Sequence, residues 1–242
     1  EDVKPGDAEV AEVRRRVSGS KPKPQAQRIR GADFEKGVAA YDNGDYAIAL
    51  REWTPLAKQG HARAQAGLGV MYEEGQGVPQ DYKTAVKWYT RSAEQGDSDA
   101  QYNLGLMYYN GWGVLQDHKT AAKWYTQAAA QGNAHAQFNL GLMYDRGEGF
   151  PQDYKMAVKW YTRAAEQGHP NAQNNLAYMY VNGQGVLQDR VYAHMWWNIA
   201  ASNGSENAIE NRNEVAKRMT TEQIAEAQKL ARECVAKNYK GC

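Results

Sequence analysis

Residues 100–132 read AQYNLGLMYYNGWGVLQDHKTAAKWYTQAAAQG, and residues 136–168 read AQFNLGLMYDRGEGFPQDYKMAVKWYTRAAEQG. The two stretches start 36 residues apart, and 22 of the 36 positions from Ala100 match their counterparts from Ala136. Unrelated sequences would share roughly two or three, so the pair is a duplication. AQAGLGVMY from Ala64 and AQNNLAYMY from Ala172 keep the same offset, making four copies. A degenerate fifth precedes them: DYAIALREWTPLAKQG (residues 45–60) aligns with DYKTAVKWYTRSAEQG (residues 81–96), after a shortened FEKGVAAYDNG. A repeat array needs such an atypical unit at an end, where only one neighbour is available.

Each copy predicts two helices. Ala100, Leu104, Met107 and Tyr108 follow the i, i+4, i+7, i+8 spacing of one helical face, and Ala85, Trp88, Tyr89 and Ala93 do the same on the second helix. Asp97 and Asn133 stand where an N-cap oxygen meets free backbone N–H groups, with Pro170 one place later in the fourth copy. Gly96 closes the preceding helix, and an xxGxG loop after Tyr72, Tyr108, Tyr144 and Tyr180 supplies a left-handed terminator. Asp81, Asp117, Asp153 and Asp189 then cap the second helix. Gly69, Gly105 and Gly141 lie mid-helix, where glycine costs about 1 kcal/mol, so they predict close approach of the two helices, with Trp and Tyr filling the remaining space.

The expected organisation is a polar tail over residues 1–31, a degenerate capping repeat over 32–60, four repeats over 61–204 and a C-terminal helical cap over 205–242. In the fourth copy Ala177 replaces the glycine, and Met195, Trp196 and Trp197 follow on the second helix, which predicts that this copy faces the extension. The extension predicts one helix from about Ser205 through Met219 and another after a Thr220/Gln223 capping box, with Ile224, Ala227, Ala231 and Cys234 as its apolar stripe.

Composition narrows the function classes. The chain has 242 residues, 29 Lys+Arg and 28 Asp+Glu, so neither a nucleic-acid bias nor an acidic-substrate bias is visible. The tail holds eight basic and five acidic residues and the extension seven and six, which leaves the repeats net acidic and disfavours an RNA-binding groove. Mean hydropathy of −0.80 excludes a membrane span. The five histidines show no HxxxH or HExxH spacing, so they read as surface or cap residues and no metal is expected. GQG, GWG and GEG follow no predicted strand and read as loop glycines rather than nucleotide loops.

The pattern AQxxLGxMYxxGxGVxxDxxxAxxWYxxAAxxG, running over about Asp33 to Gly204, closely resembles the Sel-one-like repeat family, relatives of tetratricopeptide repeats with a longer internal loop. MTTEQIAEAQKLARE resembles the C-terminal cap of many bacterial members. The resemblance implies an all-α, right-handed αα-superhelix (solenoid) with the first helices on its concave side. It implies adaptor or scaffold work and no common chemistry or cofactor. Penicillin binding ascribed to some relatives directs attention to Ser18–Lys21, an SxxK match, but no KTG companion exists and no catalytic residue is assigned. A weak hydrolase of envelope peptide or β-lactam amide bonds is the rival reading.

The expected partner is therefore a protein or extended peptide, held by a monomeric chain. At 100° per residue the shared positions of the first helix fall on one face, and the variable face carries the candidate contacts. They are Tyr102, Asn103, Leu106, Tyr109 and Asn110, then Phe138, Asn139 and Arg146, then Asn174, Asn175, Tyr178 and Asn182. Asn103, Asn139 and Asn175 recur one period apart and either grip a peptide backbone or bond neighbouring helices; Gly67 ends the series. Trp112, flanked by two glycines, is either an anchor for a partner or a cover for its loop. Cys234 and Cys242 either close a small ring in an oxidising compartment or remain two cytosolic thiols. With Glu1 in place of Met, the ring reading favours an exported, periplasmic or secreted protein over a cytoplasmic one.

Overall fold

The computed structural model describes residues 32–242; the readings of residues 1–31, the SxxK match among them, lie outside it. Among the described residues there are twelve helices and no strand. They are α1 (Phe34–Asp42), α2 (Tyr46–Lys58), α3 (Ala62–Glu74), α4 (Tyr82–Glu94), α5 (Ser98–Asn110), α6 (His118–Ala130), α7 (Ala134–Arg146), α8 (Tyr154–Ala165), α9 (Pro170–Asn182), α10 (Arg190–Ser202), α11 (Glu206–Ala216) and α12 (Thr221–Ala236). The chain divides into two compact units, one ending at Asp117 and the other running from His118 to Cys242. In the first, α1 to α5 pack each on the next; in the second, α6 to α11 do the same, and α12 packs on α10.

Local chemistry sets these boundaries. The carboxylates of Asp81, Asp153 and Asp189 each accept two backbone N–H groups at the starts of α4, α8 and α10. Asp97 and Asn133 cap α5 and α7. His61 and His169, three periods apart, occupy the same place and cap α3 and α9 through Nδ1. Burial lowers the His61 pKa, which keeps its ring neutral and able to accept that bond. Gly75, Gly111, Gly147 and Gly183 end the first helices with φ between 67° and 74°. In the extension the Thr220/Gln223 capping box forms, Ala227, Ala231 and Cys234 are buried, and α11 stops at Ala216, short of Met219.

The mid-helix glycines do create close approach, and an aromatic ring occupies the approach directly. A Cβ on Gly69 would lie 2.5 Å from the Tyr89 ring, and one on Gly141 would lie 2.5 Å from the Tyr161 ring. The tyrosine of the second helix therefore lies flat on the first helix of its own repeat. In the fourth copy Ala177 and Trp197 take these places, and Met195, Trp196 and Trp197 are buried in a core that includes Ala208, Val215, Ala231 and Cys234 of the extension.

The N-terminal pair shows how a degenerate unit closes one side. Trp53 stands at the Tyr89 place, and its ring lies between Gly37 of α1 and Gly67 of α3, with Nε1 donating to the Phe34 carbonyl at 3.2 Å. Glu52 stands at the Trp88 place and accepts from Lys36 Nζ (3.1 Å), Arg51 (3.0 Å) and the Asp33 N–H (3.2 Å). The hydrogen bonds from Arg51 and Lys36 lower its pKa from 4.5 to about 2. A carboxylate whose pKa is lower in the folded state contributes stability above its unfolded pKa and loses it as pH falls through the folded value. The expected result is a difference in thermal midpoint between the native chain and Glu52→Gln that is constant near neutrality and closes between pH 4.5 and about 2. Circular dichroism melts across that range measure it.

Candidate interaction face

In the first unit the variable face of α5 is less open than its sequence suggests. Tyr102 and Asn103, expected on an exposed stripe, are 2% and 8% exposed. Leu106 and Tyr109 are half-buried, and Asn110 is exposed, its amide donating to the Leu106 carbonyl at 3.1 Å. The Trp112 ring stacks on Tyr82 at 5.7 Å and 20°, and 41% of the residue stays exposed. Leu115, three residues on, projects almost wholly into solvent.

In the second unit α7 and α9 carry the remaining candidates. Phe138 is half-buried and stacks on the His169 ring at 4.7 Å. Asn139 beside it is half-buried, and its amide makes no side-chain hydrogen bond among the described residues. Arg146 and Asn182 are exposed at the ends of their helices. Tyr178 is 40% exposed, its ring edge-on to Trp197 at 5.2 Å.

Asn174 and Asn175 are engaged instead. Indole N–H is a donor only, so the bond from Trp197 Nε1 to Asn174 Oδ1 (3.0 Å) fixes which end of that amide accepts. Asn211 of α11 donates to the same oxygen at 3.3 Å, and Asn174 Nδ2 donates to Asn175 Oδ1 at 3.4 Å. The Tyr161 hydroxyl of α8 donates to Asp145 Oδ2 of α7 at 3.2 Å. Burial, then the Asp145 carboxylate, hold that hydroxyl protonated far above the ordinary tyrosine range. One polar cluster thus joins α9, α10 and α11, and a separate bond joins α8 to α7. Asn174 thus bonds the neighbouring α10 and α11, while Asn175 accepts from Asn174 on its own helix.

The Gly67 interruption has a steric origin. Trp53 of α2 lies against Gly67, with 2.7 Å between its ring and a Cβ built there. In unit two the residues at the corresponding places are Tyr161, a smaller ring, and Asn175. A larger ring in the preceding helix leaves room only for glycine.

Comparison with known proteins follows from this repeat geometry. The family model for the Sel1 repeat matches residues 62–97, 98–133, 134–169 and 170–205. The chain belongs to the Sel1 repeat family. Among solved structures it resembles c5321, a protective antigen of uropathogenic Escherichia coli strains displaying an SLR fold, with 37% identity and a TM-score of 0.74 over 80% of this chain. The match spans 43% of the length of c5321. It also resembles a Sel1 repeat protein from Oxalobacter formigenes, with 31% identity and a TM-score of 0.67, over 76% of this chain and 84% of the other. An immunity protein from Pseudomonas aeruginosa, PA5088, shares the fold at 18% identity and a TM-score of 0.52, over 90% of each chain. No curated protein matches.

Each Sel1 repeat of this chain also holds a buried amide that the sequence pattern hid. Gln65, Gln101, Gln137 and Gln173, the second residue of each copy, are buried, and each donates Nε2 to a carbonyl eight residues earlier at 2.9–3.2 Å. Gln65, Gln137 and Gln173 each accept from an amide thirty residues on, Gln95 (2.7 Å), Gln167 (2.7 Å) and Asn203 (2.9 Å). The only sequence signal was the recurrence of Gln itself, since beside alanine it reads as a surface residue. Cys234 and Cys242 form a disulfide with Cα atoms 5.5 Å apart. Among the described residues no group of three or more His, Cys, Asp or Glu side chains is placed to hold a metal ion, and no helix is long and apolar enough to cross a membrane.

Proposed function

We propose that this Sel1 repeat protein is a non-enzymatic scaffold that holds a protein or an extended peptide against the α7/α9 face, in an exported, bacterial-envelope setting. Membership of the Sel1 family supports a protein-interaction role. The observation that carries the choice of face is the uncommitted Asn139 amide in the same unit as the exposed ring of Tyr178. A half-buried amide without an internal partner offers both a donor and an acceptor, and a partly exposed aromatic ring supplies contact area at small entropic cost. Asn182 and Arg146 widen the same surface, and Trp112 with Leu115 forms a second, smaller contact on the first unit. The disulfide supports the exported setting, because such bonds persist in oxidising compartments.

The test is affinity capture from native envelope and cytosolic fractions, with the intact protein beside Asn139→Ala/Tyr178→Ala. The variant removes no internal hydrogen bond and should melt within a few degrees of the parent. Partners retained by the parent should be lost or weakened at least about tenfold in the variant, as aromatic contacts of this kind carry most interface energy. Equal retention by both proteins removes the α7/α9 face as the docking surface.

A further inference from the structure

The C-terminal segment after α12 does more than tie down an end. It turns back through Asn238 and Tyr239, whose φ angles of 49° and 63° are left-handed. Asparagine tolerates that region, whereas a bulky residue such as tyrosine stays there only when its surroundings hold it. Three contacts do so. Cys242 is bonded to the buried Cys234, closing a ring around the turn. The Gly241 N–H donates to Glu166 Oε1 at the end of α8, at 3.1 Å. The Tyr239 hydroxyl donates to Asn203 Oδ1 at the end of α10, at 3.1 Å, while its ring lies against Gly168.

Asn203 links this ring to the interior. Its Nδ2 donates to Gln173 Oε1 at 2.9 Å, and Gln173 Nε2 donates to the Ala165 carbonyl at 3.1 Å. Gln173 is fully buried in the first turn of α9, directly before Asn174 and Asn175. A continuous set of bonds therefore runs from the disulfide ring through Tyr239 and Asn203 to the helix that carries the candidate face.

We infer that Cys234–Cys242 is a reversible redox latch: closed, it holds Tyr239 in its left-handed turn and fixes the first turn of α9; opened, it releases both. Cys242 is half-buried and its partner is buried, so the reachable sulfur is that of Cys242. A dithiol reductant opens the ring by thiolate attack on Cys242 Sγ, with Cys234 leaving as a thiolate that takes up a proton. The second thiol of the reductant then displaces Cys242, which is protonated in turn. The dithiol ends as a disulfide, and two electrons and two protons have passed to the protein. Without the ring, the left-handed turn at Tyr239 relaxes and Asn203 loses its phenolic donor. The latch itself does not depend on what binds α9; only its consequence for partner affinity rests on the docking face proposed above.

Hydrogen exchange on the whole chain, followed by mass spectrometry of peptides, separates these statements. The expected result is that reduction with dithiothreitol, or Cys242→Ser, raises exchange of the first-turn amides of α9 by about tenfold, with α3 in the other unit unchanged. Tyr239→Phe, which keeps the ring closed and removes only the hydroxyl, should reproduce part of that increase under oxidising conditions. Faster exchange confined to residues 237–242 overturns the inference, because the ring would then open without reaching α9. Uniformly faster exchange in both units overturns it as well, since the bond would then act only on global stability. A positive exchange result with no redox effect on captured partners leaves the latch in place and shows that it does not act on partner affinity, while the docking face stands or falls on the Asn139→Ala/Tyr178→Ala capture.

Discussion

Trp53→Ala is expected to lower unfolding stability by about 3–5 kcal/mol, the range for removing a large, wholly buried aromatic side chain. Trp53 has no exposed surface, and its ring fills a slot between two glycines, Gly37 and Gly67, that have no side chains to collapse into the space. The substitution also leaves the Phe34 carbonyl without the indole donor that bonds it at 3.2 Å. Repeat arrays are stabilised by interfaces between neighbours, so the loss acts first on the contacts of α1 and α2 with α3. Urea titration should show an early transition carrying a small part of the helical signal, followed by the main one. A single transition shifted by less than about 1 kcal/mol would mean that the ring is not the keystone of that end.

Much of this fold is legible in the sequence because each repeat states the same local rules. The helix boundaries follow from capping oxygens and left-handed glycines, and the period reveals them even where one copy is irregular, as in the N-terminal pair. The extension was also legible, since Trp196 and Trp197 in place of the usual Trp and Tyr, with Ala177 for glycine, mark a copy whose neighbour is different. The candidate face was legible only in outline. A face drawn at 100° per residue assumes one buried side, but a helix inside an array is flanked on two. The accessible strip is therefore narrower than the variable strip, and Tyr102 and Asn103 fall outside it. Identical residue types also separate by context. Asn103 is buried whereas Asn139 and Asn175 are half-buried, and nothing in the letters NL distinguishes them. The buried glutamine of each repeat escaped for a related reason. A polar residue reads as exposed unless its acceptors are known, and here they are carbonyls eight residues earlier, at the end of another helix.

Gly141→Ala is the substitution in which two known effects oppose each other, and their magnitudes decide the sign. In an exposed helix interior the exchange would raise stability by about 1 kcal/mol through helix propensity. At this position the new Cβ would lie 2.5 Å from two carbons of the Tyr161 ring, a separation that cannot be accommodated without movement. The ring cannot move freely: Tyr161 has no exposed surface, and its hydroxyl is held by Asp145 at 3.2 Å. Overpacking of this kind costs about 1–3 kcal/mol, which cancels or exceeds the propensity gain, so the net change is expected to be a loss of up to about 2 kcal/mol. The fourth copy shows what accommodation requires. There Ala177 coexists with Trp197, whose indole is drawn to Asn174 and joined edge-on by Tyr178. The matching control is Tyr161→Phe in the Gly141→Ala background, which frees the ring from its polar anchor and lets it shift. Gly141→Ala should therefore be better tolerated in that background than in the native one, giving a favourable coupling term in a double-mutant cycle. Additive losses would show that the strain lies in the helix backbone rather than in the anchored ring.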